Sequence, residues 1–153
     1  MCSDFTAEVN PERPVRLLGL DVGNRRIGMA VSDLLGITAQ GIDTLQRRNK
    51  RTDFQQLAKV IRHYNVSEIV VGLPLRLSGT DSAQTEKVTV FADDLRAKFS
   101  LPVHLWDERL TSVQANRLLR EAELSIEKRA ASVDRMAAVL ILQSFMDARS
   151  LAK

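Results

Sequence analysis

Cysteine is nearly absent. The 153-residue chain has one, Cys2, in a polar N-terminal stretch, so no internal disulfide can form and no cysteine cluster can hold zinc. A reducing cytoplasm is the expected setting. Histidine is almost as scarce: His63 and His104 stand in separate segments with no cysteine nearby, which argues against a zinc site and a Ser-His-Asp triad and leaves His104 a structural role. Long apolar runs are missing too. Residues 1–13 carry Asp4, Glu8 and Glu12 instead of the apolar core of a signal peptide, and no later stretch is long enough to span a bilayer. A soluble protein without a membrane partner is expected. Gly19, Gly23 and Gly28 lack the GxGxxG spacing and neither GKS nor GKT occurs, so dinucleotide binding and P-loop chemistry have no motif support. Trp106 and the five phenylalanines fall mostly on core positions, which leaves no visible aromatic surface for stacking bases.

What is present is sized for one core. With 44% hydrophobic and 27% charged residues, the chain should fold as a single domain rather than stay disordered. We expect a flexible tail over residues 1–13 and one domain over 14–150, uninterrupted by linker, repeat or low-complexity block. The net charge of +3 helps to attract polyanions but is too small to identify nucleic acid.

Val15 to Leu20 form a short apolar run ending in Asp21, and Gly23-Asn24 suits a tight hairpin turn. The return strand alternates Ile27, Met29 and Val31 with Gly28, Ala30 and Ser32, so one face is bulky and the other admits close approach. A third strand runs from Ile37 to about Leu45. After the basic stretch Arg47 to Arg51, Thr52 and Gln55 have capping-box spacing, and Phe54, Leu57, Ala58 and Ile61 repeat with helical period. Ile69-Val70-Val71 reads as a central parallel strand, followed by a loop from Leu73 to Ser82. Val88, Phe91, Ala92, Leu95 and Phe99 mark a second helix, and Pro102 to Trp106 a fifth strand. Thr111 and Gln114 open a third helix with Ala115, Leu118, Leu119 and Ala122 as its stripe. A polar stretch, Ser125 to Arg129, precedes a last helix beginning near Ser132 and burying Val133, Met136, Ala137, Leu140 and Ile141. The order implies an α/β fold: a mixed five-stranded sheet, antiparallel in strands 1–3 and then parallel, flanked by helices.

Three isolated acidic positions stand out: Asp21 at a strand end, Asp107-Glu108 at another, and Asp134 in the last helix. Acids brought together from distant elements are what a hard divalent cation needs. Each also has a plainer reading. Asp21 alone could be a turn residue. Asp107 and Glu108 point to opposite faces of their strand, so only one can share a site with Asp21; both could instead be a solvated strand end beside Arg109. Asp134 could be an acid favoured by the positive end of its helix, yet it shares a column with Ala137, Ala138 and Ile141, where a carboxylate without a partner is costly.

The stretch GLDVGNRRIGMAVSD, Gly19 to Asp33, closely resembles the opening motif of the bacterial pre-16S rRNA nuclease family, also described as Holliday junction resolvases. VVGLPL from Val70, DERLTS from Asp107 and DRMAAVLILQ from Asp134 look like the family's other three blocks, in order and at similar separations. Together they cover about residues 15 to 149. The resemblance implies a ribonuclease H-like fold and an acidic site at Asp21, Glu108 and Asp134, with Glu108 rather than Asp107 following the family pattern. It also implies that these acids hold one or two Mg2+ or Mn2+ ions and hydrolyse a nucleic-acid phosphodiester. Arg25, Arg26, Arg76, Arg109 and Arg135 could then hold phosphates by charge-assisted forks. Arg76 stands where many members have asparagine, and Leu77-Ser78 where methionine and an acid are common. These departures lie outside the acids and bear on substrate detail.

Precursor 16S rRNA is the substrate that the family name favours, with ribosomal particles as associated partners. A four-way DNA junction is the alternative; resolving it would need two sites and hence a homodimer, whereas the sequence shows no clear dimer seam and leaves a monomer open. A non-catalytic nucleic-acid-binding module is a third reading, against which the three acids weigh. An actin-like ATP-binding fold needs two such domains, and the chain has room for one.

Overall fold

A computed structural model describes residues 12–73, 83–107 and 126–151, with side chains of the last segment from Met136 onward. Five strands and three helices follow one another: β1 (Arg16–Val22), β2 (Arg26–Ser32), β3 (Ala39–Gln46), α1 (Lys50–Tyr64), β4 (Val66–Leu73), α2 (Ala83–Phe99), β5 (Val103–Asp107) and α3 (Ile126–Leu151). The sheet order is β3-β2-β1-β4-β5. β1, β2 and β3 pair antiparallel, whereas β4 joins β1 and β5 joins β4 in parallel. This is the mixed sheet that the element order implies, with β1 at its centre. The loop expected over 73–82 and the helix expected from Thr111 fall largely outside the described residues.

Two cores form because the strands alternate. Leu18, Leu20, Ile27, Met29, Ile69 and Val71 face α1 and α2, where Phe54 meets Phe91 edge-on at 5.4 Å and stacks on Phe99 at 5.9 Å. Each fully buried Leu, Ile or Phe there contributes about 1.5–3 kcal/mol. On the other face, Ala137, Ala138, Ile141, Leu142, Phe145 and Met146 of α3 pack over Ala30 and Val70. The small face of β2, read from Gly28, Ala30 and Ser32, is the face that receives this helix. β1 goes furthest: a Cβ on Gly19 would stand 2.7 Å from Leu142 Cβ and 3.2 Å from the Ala138 carbonyl oxygen. Only glycine permits this approach.

Several local expectations are corrected. The β1–β2 turn is made by Asn24 and Arg25 rather than by Gly23 and Asn24, because the Gly23 N–H donates to the Arg26 carbonyl at 2.9 Å and so pairs these two residues across it. Neither Gly23 nor Asn24 has the positive φ that a two-residue primed turn demands; a Cβ on Gly23 would instead crowd the Arg26 carbonyl oxygen at 2.9 Å. β3 begins at Ala39, not Ile37, because the Asp33 carboxylate accepts from the Ile37 and Thr38 amides at 2.7 and 3.3 Å and folds that segment into a turn. Those bonds hold the Asp33 carboxyl below its usual range. α1 is capped by Asn49, whose Oδ1 accepts from the Thr52 amide at 2.8 Å, so Thr52 is a donor inside the first turn rather than the cap. Asn65 ends α1 in the left-handed conformation and donates to the Arg13 and Pro14 carbonyls, which fixes the chain just before β1.

The last helix departs most. It begins at Ile126, not near Ser132, since Glu127, Lys128, Arg129, Ala130 and Ala131 are polar or small but good helix formers. Its buried stripe centres on Ala138, Ile141, Leu142 and Phe145, while Met136 and Leu140 are only half-buried; the side chain of Val133 lies outside the described ones. Asp134 is therefore in the third turn, beyond the first-turn reach of a helix dipole.

At its far end α3 is tied to the sheet. Arg149 donates to both Glu68 carboxylate oxygens at 3.1 and 2.9 Å, and His104 Nε2 lies 2.8 Å from Oε1. Phe145 sits beneath, 4.6 Å from the Arg149 guanidinium and 5.0 Å from the His104 ring. The Arg149 bond, ahead of the opposing effect of burial, holds the Glu68 carboxyl below its usual value; the His104 bond adds to it.

Two stability predictions follow from these contacts. Gly19→Ala, which would be neutral or favourable in an open strand, should destabilise by about 1–3 kcal/mol through overpacking; an unchanged thermal midpoint would mean that α3 lies further from β1. A depressed carboxyl favours folding above its unfolded value near 4.5 and loses that contribution as pH falls through the folded value. Glu68→Gln, partly solvent-screened, should therefore cost about 1 kcal/mol near neutral pH, and denaturant titrations should show this difference shrinking below about pH 4.5. A pH-independent difference would contradict the assignment.

Candidate active site at the carboxyl edge of the sheet

β1, β4 and β5 run in parallel, so their carboxyl ends, and the amino ends of α1 and α2, share one edge of the sheet. That edge is where parallel strands leave room for a ligand. Asp21, the penultimate residue of β1, lies there half-buried. It has the parity of Leu17 and Gly19, which puts it on the α3 face, while Leu18, Leu20 and Val22 enter the α1/α2 core.

Its neighbours across the sheet are small. Gly28 of β2 pairs directly with Asp21. On the other side Leu20 is level with Val71, so the next step sets Gly72 beside Asp21, and Gly72 in turn pairs with Trp106. Asp21 thus stands between two residues that bring no side chain to its face of the sheet. Gly72 belongs to the Val70-to-Leu75 block, and its value comes from register, which sequence spacing alone does not provide.

The backbone of α3 brings Asp134 to the same level. Leu142 and Ala138 lie over Gly19, and Arg149 lies near the start of β4, so α3 runs antiparallel to β1. Two strand residues carry β1 about 6.6 Å from Gly19 to Asp21. Four helical residues carry α3 about 6 Å back from Ala138 to position 134. The side chain of Asp134 is outside the described ones, and the placement concerns its backbone.

The strand alternation separates the paired acids. His104 and Trp106 face α3: the Trp106 Nε1–H donates to Ser144 Oγ at 3.1 Å, and its ring meets Phe145 at 5.5 Å. Val103 and Leu105 enter the α1/α2 core, so Asp107 continues on that face, away from Asp21. Glu108, Arg76 and Arg109 lie outside the described residues, as does the side chain of Arg135. Arg25 is exposed on the β1–β2 loop and Arg26 half-buried at the start of β2. The structure thus assigns His104 and Trp106 to packing, as their sequence context implies. Among the described residues no group of three or more His, Cys, Asp or Glu side chains could hold a metal ion; of the three proposed ligands, only the side chain of Asp21 is described.

A support for the β1–β2 loop has little sequence signal. Arg47, at the end of β3, donates through Nη1 to the Gly23 carbonyl at 2.7 Å and places Nε 3.5 Å from the buried Asp53 carboxylate. Its guanidinium lies 5.4 Å from the Phe91 ring, and its amide donates to the Arg25 carbonyl at 2.9 Å. Gln84 of α2 donates to the Val22 carbonyl at 3.3 Å. The residues immediately after Asp21 are therefore held from two helices and a strand.

Comparison with known proteins agrees with this architecture. A family model described as RuvX, Holliday junction resolvase, matches residues 15–148. A relative from Koribacter versatilis named "Putative pre-16S rRNA nuclease" is 62% identical over 136 residues, covering 89% of each chain. One of the same name from Moorella thermoacetica is 49% identical over 133 residues, covering 87% of this chain and 95% of its own. Among solved structures, Thermus thermophilus RuvC in complex with a Holliday junction substrate superposes with a TM-score of 0.53 at 14% identity, covering 89% of this chain and 96% of that one. At that identity the likeness establishes the ribonuclease H-like fold and nothing finer.

Proposed function

The chain belongs to the RuvX family of Holliday junction resolvases, a family of nucleases, and from this premise we propose that it is a metal-dependent endonuclease whose substrate is the 5′ region of precursor 16S rRNA. The observation that carries the site is Asp21 on the α3 face, bounded by Gly28 and Gly72, with position 134 of α3 level with it. The choice of RNA follows the name borne by relatives up to 62% identical.

The available chemistry fits a hard cation: Asp21 offers carboxylate oxygens, and the flanking glycines bring no side chain to compete for them. Asp21, Glu108 and Asp134 would hold one or two Mg2+ or Mn2+ ions. When bound, such ions polarise the phosphate and lower the pKa of a coordinated water. Glu108 is preferred to Asp107 because Asp107 lies on the opposite face of β5. The protein's own part is positional. Asp21 is fixed within the ladder at the centre of the sheet, while Arg47, Asp53 and Gln84 hold the loop that follows it. Arg25 and Arg26 present cations beside the carboxylate edge, and Arg76, Arg109 and Arg135 are assigned the same work of neutralising substrate phosphates. No covalent enzyme intermediate is required. No helix among the described residues is long and apolar enough to cross a membrane.

A second reading, cleavage of four-way DNA junctions, is favoured by the description of the matching family model. It uses the same residues but requires two sites facing paired strands, and therefore a dimer. Labelled pre-16S leader RNA and a four-way DNA junction should be incubated side by side with wild-type protein, Asp21→Asn and Asp107→Asn in Mg2+ and Mn2+. The expected result is cleavage of the RNA by wild type and Asp107→Asn, with a loss of at least about 100-fold in Asp21→Asn. Cleavage of the junction alone would transfer the protein to the second reading. Full activity in Asp21→Asn would remove the site.

A further inference from the structure

Within the basic stretch from Arg47 to Arg51, Arg47 holds the loop after Asp21, whereas Arg48, Lys50 and Arg51 have no part in the carboxylate site. In the fold this stretch meets a second basic segment: the Arg47 amide bonds to the Arg25 carbonyl, and Arg26 pairs with Gln46. Arg25, Arg26, Arg47, Arg48, Lys50 and Arg51 thus gather at one corner of the carboxyl edge. Beside them, between the amino ends of α1 and α2, lies a cleft of about 750 Å³ lined by Val22, Arg47, Arg48, Lys50, Lys87 and Phe91, among others.

Fold stability accounts for only some of these cations. Arg47 is committed to Asp53, Phe91 and the Gly23 carbonyl, and Lys50 lies 3.1 Å from Asp94. With Asp53 and Asp94 so neutralised, Glu86 is the remaining acid on the cleft wall. Arg48 and Lys87 are exposed and have no ion pair among the described residues. Arg51 is likewise exposed in the first turn of α1, where a cation works against the helix dipole. Exposed cations that support no packing and oppose a local preference are better explained by an external anion.

The cleft also lies just across the end of β1 from the candidate active site. Asp21 and Val22 are successive residues of β1; the first faces α3 and the second lines the cleft. Only the loop from Gly23 to Arg25 separates them at the edge. We propose that this cleft binds the sugar-phosphate backbone of the substrate strand where it passes over the β1–β2 loop, away from the scissile phosphate. The inference rests on the nuclease reading above and adds Arg48 and Lys87 of the cleft wall, with Arg51 next to it in the first turn of α1, to the nucleic-acid contacts. A phosphate chain fits this surface because point cations on flexible stems, without convergent donors for a base edge, attract backbone charge and ignore sequence.

The test is a salt titration of binding in EDTA, with a fluorescein-labelled RNA stem-loop carrying a single-stranded tail. Arg48→Ala, Arg51→Ala and Lys87→Ala should each reduce the slope of log K against log salt by about 0.7 and weaken binding about fivefold near 0.1 M salt. Lys59→Ala, which removes an exposed cation from the middle of α1, should leave both unchanged. Normal binding with unaltered slopes in these three variants would overturn the cleft and leave the nuclease reading standing. Failure of the wild-type protein to bind the RNA would overturn both.

Discussion

The contact between α3 and β1 at Gly19 governs this molecule. A helix that lies against the middle strand of a sheet with no strand side chain between them fixes its height and its azimuth together. Gly19 removes the obstructing Cβ, and Ala137, Ala138 and Ala30 keep the surrounding interface thin. The Glu68, Arg149 and His104 cluster fastens the other end of the same helix. Because the helix is fixed at its middle and at its carboxyl end, the level of position 134 relative to Asp21 is a consequence of packing, although the two are over a hundred residues apart in sequence. The family's motif blocks can be understood in this light: Gly19 and Asp21 lie in one block, and Asp134 and Ala138 in another, because approach and chemistry are set by the same interface.

Much of this could be read from the chain before any coordinates. Alternation of Ile27, Met29 and Val31 with Gly28, Ala30 and Ser32 announces a strand with one close-packed face. The period of Val88, Phe91, Leu95 and Phe99 announces a helix on the other layer. Local signals failed where two of similar strength compete. Asn49 and Thr52 both precede an apolar period, and asparagine is the stronger cap. The segment before Ser132 is polar, which suggested a loop, yet its residues favour a helix and the stripe simply begins later. Contacts between distant residues left no trace in spacing. Nothing in the sequence links Glu68 to Arg149, or Arg47 to Gly23, and the flanking of Asp21 by Gly72 depends on a parallel register that only the folded sheet defines. The ambiguity between Asp107 and Glu108 lies between these cases: alternation states that they diverge, and the packing of Leu105 and Trp106 shows which face Asp107 takes.

The carboxyl edge divides its labour between the two faces of the sheet. On the α3 face a carboxylate stands between two glycines. On the α1/α2 face, one residue further along β1, a cleft gathers cations, and the loop between them is held by Arg47, Asp53 and Gln84. Such an arrangement suits a long polyanion better than a small substrate: under the proposed function the reacting phosphate would meet acids holding a metal, while flanking phosphates would meet arginine and lysine directly.

The central claim is that Asp21, Glu108 and Asp134 converge on one cation site. Anomalous scattering from crystals soaked in Mn2+ addresses it without depending on the identity of the substrate. The account predicts one or two peaks at about 2.0–2.2 Å from oxygens of these three carboxylates. Strong manganese peaks elsewhere, with none against Asp21, or coordination by Asp107 in place of Glu108, would contradict it.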